Sequence, residues 1–358
     1  EIPLRLVGSE MCIRDRSIVD LFAGSGVVSR EFARHRPVLS VDVQAYSATL
    51  ASALSTPRAY ERSTRQRIVA RAREWVRAVT PAVSDLLAYE AVASASALSA
   101  PESFARLVEE GSLTSLAATD ADLANAKASA QPRLDAASAT LTRYYGGVYF
   151  SYTQALELDA LLAAIDHQPD SPAEATLVAA VLGTASDLVA TVGSHFAQPS
   201  RLRDRSGVVK PAVAARVLRA RNTSAFELFD KWLQRYASLE VAEHPCATAT
   251  MDFRVILNGL EPSVGAIYAD PPYTRDHYSR FYHVLETIAL GDDPGVTLTP
   301  GTSSPSRGLY RSQRHQSPFS IRSEVVGAFD SMFAAAQRQR IPLILSYSPQ
   351  GGLSLIHI

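Results

Sequence analysis

The densest chemistry in this chain lies between Ala266 and Tyr273, where the short apolar run "AIYA" stops abruptly at Asp270-Pro271-Pro272-Tyr273. Consecutive prolines neither continue a strand nor enter a helix interior, so they predict a rigid, exposed turn at the end of a strand. In an open α/β sheet, ligands bind at such strand ends. Asp270 and the backbone carbonyl of Pro271 can both accept hydrogen bonds from one exocyclic amino group. An amine of that kind is a poor nucleophile, because its lone pair is delocalised into the ring. Two acceptors draw it towards tetrahedral geometry and aim the lone pair at an electrophile. Tyr273 offers a face on which an unstacked base can lie.

A second stretch upstream has matching chemistry. In "SIVDLFAGSG", Ser17 to Gly26, Ile18, Val19 and Leu21 suit a buried parallel strand, and Gly24-Ser25-Gly26 supplies a tight turn. Helical spacing follows from Val27 to His35, and "PVLSVD" restores a strand ending in Asp42. A glycine turn after one strand and an acid ending the next describe a nucleotide-type site, with the carboxylate placed for ribose hydroxyls. As a dinucleotide fingerprint the turn lacks its third glycine. As the D-x-F-x-G-x-G of an S-adenosylmethionine site, Asp20 to Gly26 matches well, with Asp20, Phe22, Gly24 and Gly26 at the defining positions. Taken alone, the stretch leaves both readings open.

These motifs need elements to hold them. Residues 17–54 read as the first part of an α/β domain and 245–352 as its second part, with a largely helical insertion over 55–244. Within the insertion, "RIVARAREWVRAV" places Ile68, Ala72, Trp75 and Val79 on one helical face, and Ser171-Pro172-Ala173-Glu174 reads as a capping box opening a helix to about Val192. "YYGGVYFSY", Tyr144 to Tyr152, reads mainly as core packing. Further on, "CATATMDFRVIL" predicts a strand ended by Asp252-Phe253, Thr274 to Leu290 a helix, Asp292 to Gln316 a polar loop and "IPLILSYS" a last buried strand. Arg201 to Arg221 carries six arginines and Lys210 against one aspartate. Its loop-like start, with Arg201, Arg203, Arg205 and Lys210, and the downstream Arg307, Arg311 and Arg314 are candidate contacts to a nucleic-acid backbone.

Composition sets bounds on this picture. The chain is 47% hydrophobic and 20% charged with a formal net charge of −1, so any nucleic-acid face must come from local clustering. No apolar run reaches the length of a membrane span. Leu6 to Arg16, "LVGSEMCIRDR", looks like a translated transposase-type sequencing adapter, and Leu353 to Ile358, "LSLIHI", like its reverse complement. Residues 1–16 and 353–358 are therefore expected to be non-native, with native sequence from Ser17 to about Gly352, truncated at both ends. Cys12 then drops out and Cys246 stands alone, which excludes a disulfide framework or cysteine metal site in the remainder and suits a reducing cytoplasm. His277, His283 and His315 show no metal spacing, and no metal is expected.

Together the two motifs resemble the DNA adenine methylase family, amino-DNA methyltransferases of the α order, in which the cofactor motif precedes an inserted recognition region and D-P-P-Y follows. The resemblance covers Ile18 to about Asp42 and Thr248 to Ser348. It implies a Rossmann-like methyltransferase sheet, S-adenosylmethionine as cofactor, and double-stranded DNA as partner, and leaves open whether a cognate restriction endonuclease is a further one. It places Asp20, Phe22, Gly24 and Gly26 around the cofactor, Asp42 on its ribose, and Asp252 and Phe253 near its adenine. Asp270, Pro271, Pro272 and Tyr273 become the pocket for a flipped adenine, with aspartate rather than serine at the first position favouring N6 of adenine over amino-cytosine. RNA or protein-glutamine amino-methylation, and a DNA-binding module without activity, are the competing readings. A carbon-5 cytosine enzyme would need Pro245-Cys246 at a catalytic strand end, and Cys246 reads instead as a buried thiol.

Overall fold

The computed structural model describes residues 16–347 apart from 116, 136–138, 169–172, 192, 194 and 273–276. Tyr273, the Ser171-Pro172 start of the expected capping box, Val192 and almost all of the adapter-like ends fall outside the described residues. The chain divides into two compact units. One comprises residues 1–59, 236–279 and 315–358, and the other 60–235 and 280–314.

The first unit is an α/β sandwich around a five-stranded parallel sheet: β1 (Ser17–Leu21), β2 (Val38–Asp42), β3 (Cys246–Thr250), β4 (Val264–Ala269) and β5 (Leu343–Leu345). The spatial order is β3-β2-β1-β4-β5. Successive strands step outwards on one side of β1, and the chain then returns to start the other side with β4. The crevice of such a sheet opens where that order reverses, outside the carboxyl ends of β1 and β4. Register makes the two ends neighbours, with Leu21 opposite Ala269, while Leu21 also faces Val41 of β2. β1 is buried along nearly its whole length, as expected for a central parallel strand. Val19, Leu21, Leu39, Val41 and Ile267 pack with Phe253, Phe319, Phe329 and Met332 in one hydrophobic cluster. Cys246 opens β3 at the amino end of the sheet, away from the strand ends that carry the turns, and is half-buried, with burial pushing its thiol pKa up.

The second unit is mostly helical. Its Arg62–Val79 helix buries Ile68, Ala72 and Val79, and Trp75 packs against the core as the spacing predicts. Tyr144, Tyr145, Tyr149, Phe150 and Tyr152 are all buried. Two expectations change here. The helix expected to run to about Val192 spans Ala175–Leu188, and Glu174 is itself the cap, accepting from the Thr176 amide at 3.1 Å. Residues 280–314, expected to lie within the second part of the α/β domain, belong to the helical unit. They are held there by polar groups no local pattern announces. His167 Nε2 lies 3.0 Å from the carbonyls of both Ile288 and Ala289, and the buried Tyr145 hydroxyl is 3.4 Å from His283 Nδ1. The stretch read as a polar loop carries short bridges, Val296 with Arg311 and Leu298 with Pro305.

One glycine ties the sheet to its first crossover. Gly26 has φ +78°, and a Cβ there would collide with the backbone of Ala51 in the Ala45–Ser55 helix. Gly207 has φ +84° with open space around it. Replacing each by alanine should therefore separate strain from collision. Gly207→Ala should lower unfolding stability by about 1–2 kcal/mol, the cost of a left-handed alanine. Gly26→Ala should cost clearly more, read as a larger drop in denaturant midpoint.

Candidate active site

β1 ends in a turn held by polar contacts. Phe22 takes the left-handed backbone conformation at φ +63°, which a bulky side chain rarely adopts and which concentrates at functional turns. Its ring is fixed at 5.4 Å from Phe253 and 5.1 Å from Phe319. Gly24 and Gly26 follow with positive φ, and Gly26 leads directly into the Val27–Phe32 helix. The turn is clamped by Asp42 at the end of β2: its carboxylate accepts from the Gly24 amide at 3.0 Å, the Gln44 amide at 3.0 Å and the Ser47 hydroxyl at 3.0 Å. Ser47 also hydrogen-bonds the Gly24 carbonyl. Sequence reasoning placed Asp42 for a ligand's ribose; the structure gives it a prior role in shaping the turn.

At the end of β4, Asp270 opens to solvent, Pro271 is buried and Pro272 half-buried. Desolvation raises the Asp270 pKa, partly offset by a hydrogen bond from the Ser346 side chain. Ser346 is itself placed by its amide, which donates to the Ala269 carbonyl at 2.9 Å. The two turns line one cavity of about 300 Å³, a size within the range of small-molecule sites. Asp20, Asp42 and Asp270 all reach it, and no lysine or arginine does among the described residues. Asp20 is 1% exposed, and its Oδ2 accepts from Ser29 Oγ at 2.5 Å. Burial lifts its pKa to about 7, the Ser29 bond opposes the shift, and the charges of Asp42 and Asp270 add to it.

Other expected residues sit differently. Asp252 does not end a strand: β3 stops at Thr250, and Asp252 caps the Phe253–Asn258 helix, accepting from the Arg254 amide at 2.9 Å. It also pairs with the Arg254 guanidinium at 2.8 and 2.9 Å, which holds its pKa down. Asp252 therefore lines the cavity with most of its acceptor capacity in use. Phe253 also lines it, 5% exposed. Gln44, Tyr46, Tyr278 and His315 are lining residues that sequence reasoning missed. Only the D-x-Q spacing after β2 hinted at Gln44, and His315 lacked any local signal. Burial lowers the His315 pKa. Among the described residues no group of His, Cys, Asp or Glu could hold a metal ion.

The basic candidates lie in the helical unit. Arg201, Arg203, Arg205, Lys210 and Arg307 line a second cavity of about 730 Å³. Arg314 is half-buried, its guanidinium 4.8 Å from the centroid of the Tyr310 ring. Arg311 is a correction. Its side chain is buried, pairing with Asp292 at 2.7 and 3.2 Å and reaching Thr287 Oγ1 at 3.4 Å. A guanidinium committed this way holds a loop together and is not available to a phosphate.

Comparison with known proteins agrees with the family resemblance. Residues 217–333 match the family model described as D12 class N6 adenine-specific DNA methyltransferase, the family the sequence resembles. A type II methyltransferase, M.NlaIII of Neisseria lactamica, is 35% identical over 89 residues, 25% of this chain and 23% of that protein. The modification methylase LlaI of Lactococcus lactis subsp. lactis is 35% identical over 83 residues, 23% of this chain and 12% of that protein. The chain thus matches less than a quarter of either relative's length. No solved structure matches it significantly. The parallel sheet and its crevice are consistent with the fold of S-adenosylmethionine-dependent methyltransferases.

Asp20 gives the site a measurable pH signature. Its folded pKa of about 7 lies above the ordinary 3.8, so between those values the folded protein keeps a proton that the unfolded chain releases. Stability from this group is thus full below about pH 4 and is lost as pH rises to about 7. Asp20→Asn keeps an acceptor for Ser29 and removes the titration. Its stability relative to wild type should rise across that window, by an amount on the order of a few kcal/mol, and level off above it. A difference that stays flat with pH would show that Asp20 is ionised throughout.

Proposed function

We propose that this chain carries the reaction centre of an S-adenosylmethionine-dependent DNA methyltransferase that modifies the exocyclic N6 amine of adenine. The observation that carries the reading is the convergence of the Phe22–Gly26 turn and Asp270-Pro271-Pro272 on one acidic cavity, at the carboxyl ends of adjacent strands.

The cavity's chemistry supports this cofactor over a dinucleotide. A pyrophosphate needs unpaired amides or cations at the glycine turn. Here the Gly24 amide already donates to Asp42, and the carboxylates of Asp42 and Asp270, joined by Asp20 as it ionises near pH 7, would repel two phosphates. A ligand carrying a sulfonium and an ammonium suits those same carboxylates. Above Gly24 there is room as well: a Cβ there would meet only the Phe22 carbonyl, at 3.8 Å, so the bare backbone leaves space any side chain would occupy. Asp20, Phe22, Gly24, Gly26, Asp42 and Phe253 would hold the cofactor, with Asp252 at the edge of its base. Bound there, the cofactor supplies an electrophilic methyl group.

The protein's own part is positioning. Asp270 and the Pro271 carbonyl accept from the target amine and orient its lone pair, while the double proline keeps both acceptors at fixed separation without loop entropy. Tyr273, outside the described residues, is assigned the face on which the base stacks. Catalysis on this scheme is preorganised electrostatics, with no covalent enzyme intermediate. The partner is duplex DNA, contacted through Arg201, Arg205, Lys210, Arg307 and Arg314. No described helix is long and apolar enough to cross a membrane. A cytoplasmic setting and a cognate restriction endonuclease belong to the same proposal.

The test uses labelled S-adenosylmethionine and mixed plasmid DNA, digested to nucleosides after incubation. Label is expected in N6-methyladenosine, and Asp270→Ala should lower turnover by at least about a hundredfold while cofactor affinity stays within a few-fold. Label in cytosine would move the target to the amino-cytosine class. Label absent from DNA with cofactor still bound would move it to RNA or protein.

A further inference from the structure

The acids that line the cavity of the α/β unit are not equivalent. Asp252 is paired with the Arg254 guanidinium, and Asp42 is engaged by the Gly24 and Gln44 amides and the Ser47 hydroxyl. Asp270 opens to solvent. Asp20 differs from all three. Its side chain is 1% exposed, and among the described residues its donors come from Ser29 alone, the hydroxyl at 2.5 Å and the amide of the same residue. Ser29 is itself fully buried. A staple between β1 and the Val27–Phe32 helix needs only an acceptor, which asparagine would supply as well. A carboxyl in that place adds a proton that can be lost and regained.

The charges that face Asp20 make its ionisation harder. Asp42 acts on it from the end of β2 and Asp270 from the turn after β4. Towards β3 lies the Cys246 thiol, on which Asp20 acts in turn and which burial keeps neutral. The Val27–Phe32 helix brings no cation to the cavity, since its Arg30 and Glu31 are not among the lining residues. Of the other titratable groups on the wall, burial holds His315 towards its neutral form, and His277, Tyr46, Tyr268 and Tyr278 complete the set. Burial and the two acids thus keep the proton on Asp20 up to about pH 7. A cationic ligand would reverse this balance. An opposite charge within about 4–6 Å of a carboxyl favours its ionised form by roughly ten- to a thousandfold. A cavity of about 300 Å³ keeps a bound cation close to its walls.

We infer that Asp20 distinguishes the cofactor from its spent form by charge: the carboxyl gives up its proton when a sulfonium occupies the cavity and takes one back when that charge is gone. The inference rests on the S-adenosylmethionine reading. Transfer breaks the bond between the methyl carbon and sulfur, whose electron pair stays on sulfur. The lone pair of the target amine forms the new carbon–nitrogen bond, and that amine then frees one proton to solvent. What remains is a neutral thioether, with the amino-acid end the same zwitterion as before. Uptake of one proton at Asp20 offsets the one released. The ionised carboxylate that favoured the cofactor is then no longer there to hold the product.

The experiment is calorimetry of the full chain at about pH 6, in two buffers of different protonation enthalpy, which counts the protons exchanged on binding. S-adenosylmethionine should release well over half a proton per site more than the thioether S-adenosylhomocysteine does. Its affinity should rise several-fold per pH unit across about pH 5–7 and level off above, while that of the thioether does not follow. Asp20→Asn should abolish both the extra proton and the rise, and should cut the preference for the sulfonium form at least about tenfold at about pH 8. Ser29→Ala removes a donor that favours the ionised carboxylate, so it should keep the extra proton and move the levelling-off to higher pH. Equal proton release by the two ligands overturns the inference. So does a rise that survives in Asp20→Asn, which would give the titration to Asp270 or His315. A wild-type chain that binds neither ligand at any pH defeats the cofactor reading and this inference with it. Binding of S-adenosylmethionine without proton exchange defeats this inference alone.

Discussion

The site depends on the parallel pairing of β1 with β4, two strands far apart in sequence. Register decides everything downstream: with Leu21 opposite Ala269, the residues that follow each strand leave the sheet side by side, and Phe22 to Gly26 meets Asp270 to Pro272. A shift of one residue along β1 would carry Asp20, buried against Ser29 beside the cavity, to the opposite face of the sheet. The chain can place about two hundred residues between β2 and β3 because the entropy of closing a loop grows only logarithmically, about 0.6 kcal/mol per doubling. That excursion is also no loop. It has its own core, around Phe104, Leu107, Leu123, Tyr152 and Leu156, so it contributes stability of its own.

Within the crevice, the controlling interaction is the clamp of Asp42 on Gly24. It fixes the glycine turn before any ligand arrives, so little ordering entropy remains to oppose binding. It also consumes the amide that would serve a phosphate. Of the four carboxylates lining the cavity, Asp252 is paired with Arg254, and among the other three Asp20, the most buried, is the one that gives way by holding its proton. An anionic ligand would worsen this arrangement; a cationic one relieves it.

How much of this was legible in sequence depends on whether a residue's role is set by its neighbours along the chain. Asp270-Pro271-Pro272 and Gly24-Ser25-Gly26 were legible, because proline and glycine dictate backbone shape locally, and so were the flanking strands and the Arg62–Val79 helix, whose apolar periods are local too. Arg311 was not: among several arginines in a polar stretch, nothing local separates one that finds Asp292 in the interior from one that faces solvent. The same holds for Arg203 between Arg201 and Arg205, since Glu102 and Glu109 lie about a hundred residues away. Asp252 is a subtler case. Its position at the end of an apolar run suggested a strand terminus, yet aspartate before Phe253-Arg254-Val255 is equally a helix cap, and the cap prevailed. The transfer of residues 280–314 to the helical unit turned on His167 and Tyr145, buried polar groups whose partners only the fold supplies.

The formal net charge of −1 conceals the sorting that the structure makes visible. A small cationic cofactor and a polyanionic duplex make opposite electrostatic demands, and one surface cannot meet both without each weakening the other. On the proposed function, this chain separates them by unit. The acids Asp20, Asp42 and Asp270 gather in the cavity of the α/β unit, where no lysine or arginine lines the wall among the described residues. The unpaired arginines gather in the helical unit, where internal ion pairs have already absorbed the neighbouring glutamates. Averaging over the whole chain returns a nearly neutral protein; averaging over each cavity returns two sites of opposite sign. Fields of this kind fall off within about 10 Å at ordinary ionic strength. It is therefore the local balance, set by which charges the fold pairs internally, that determines what each unit can bind.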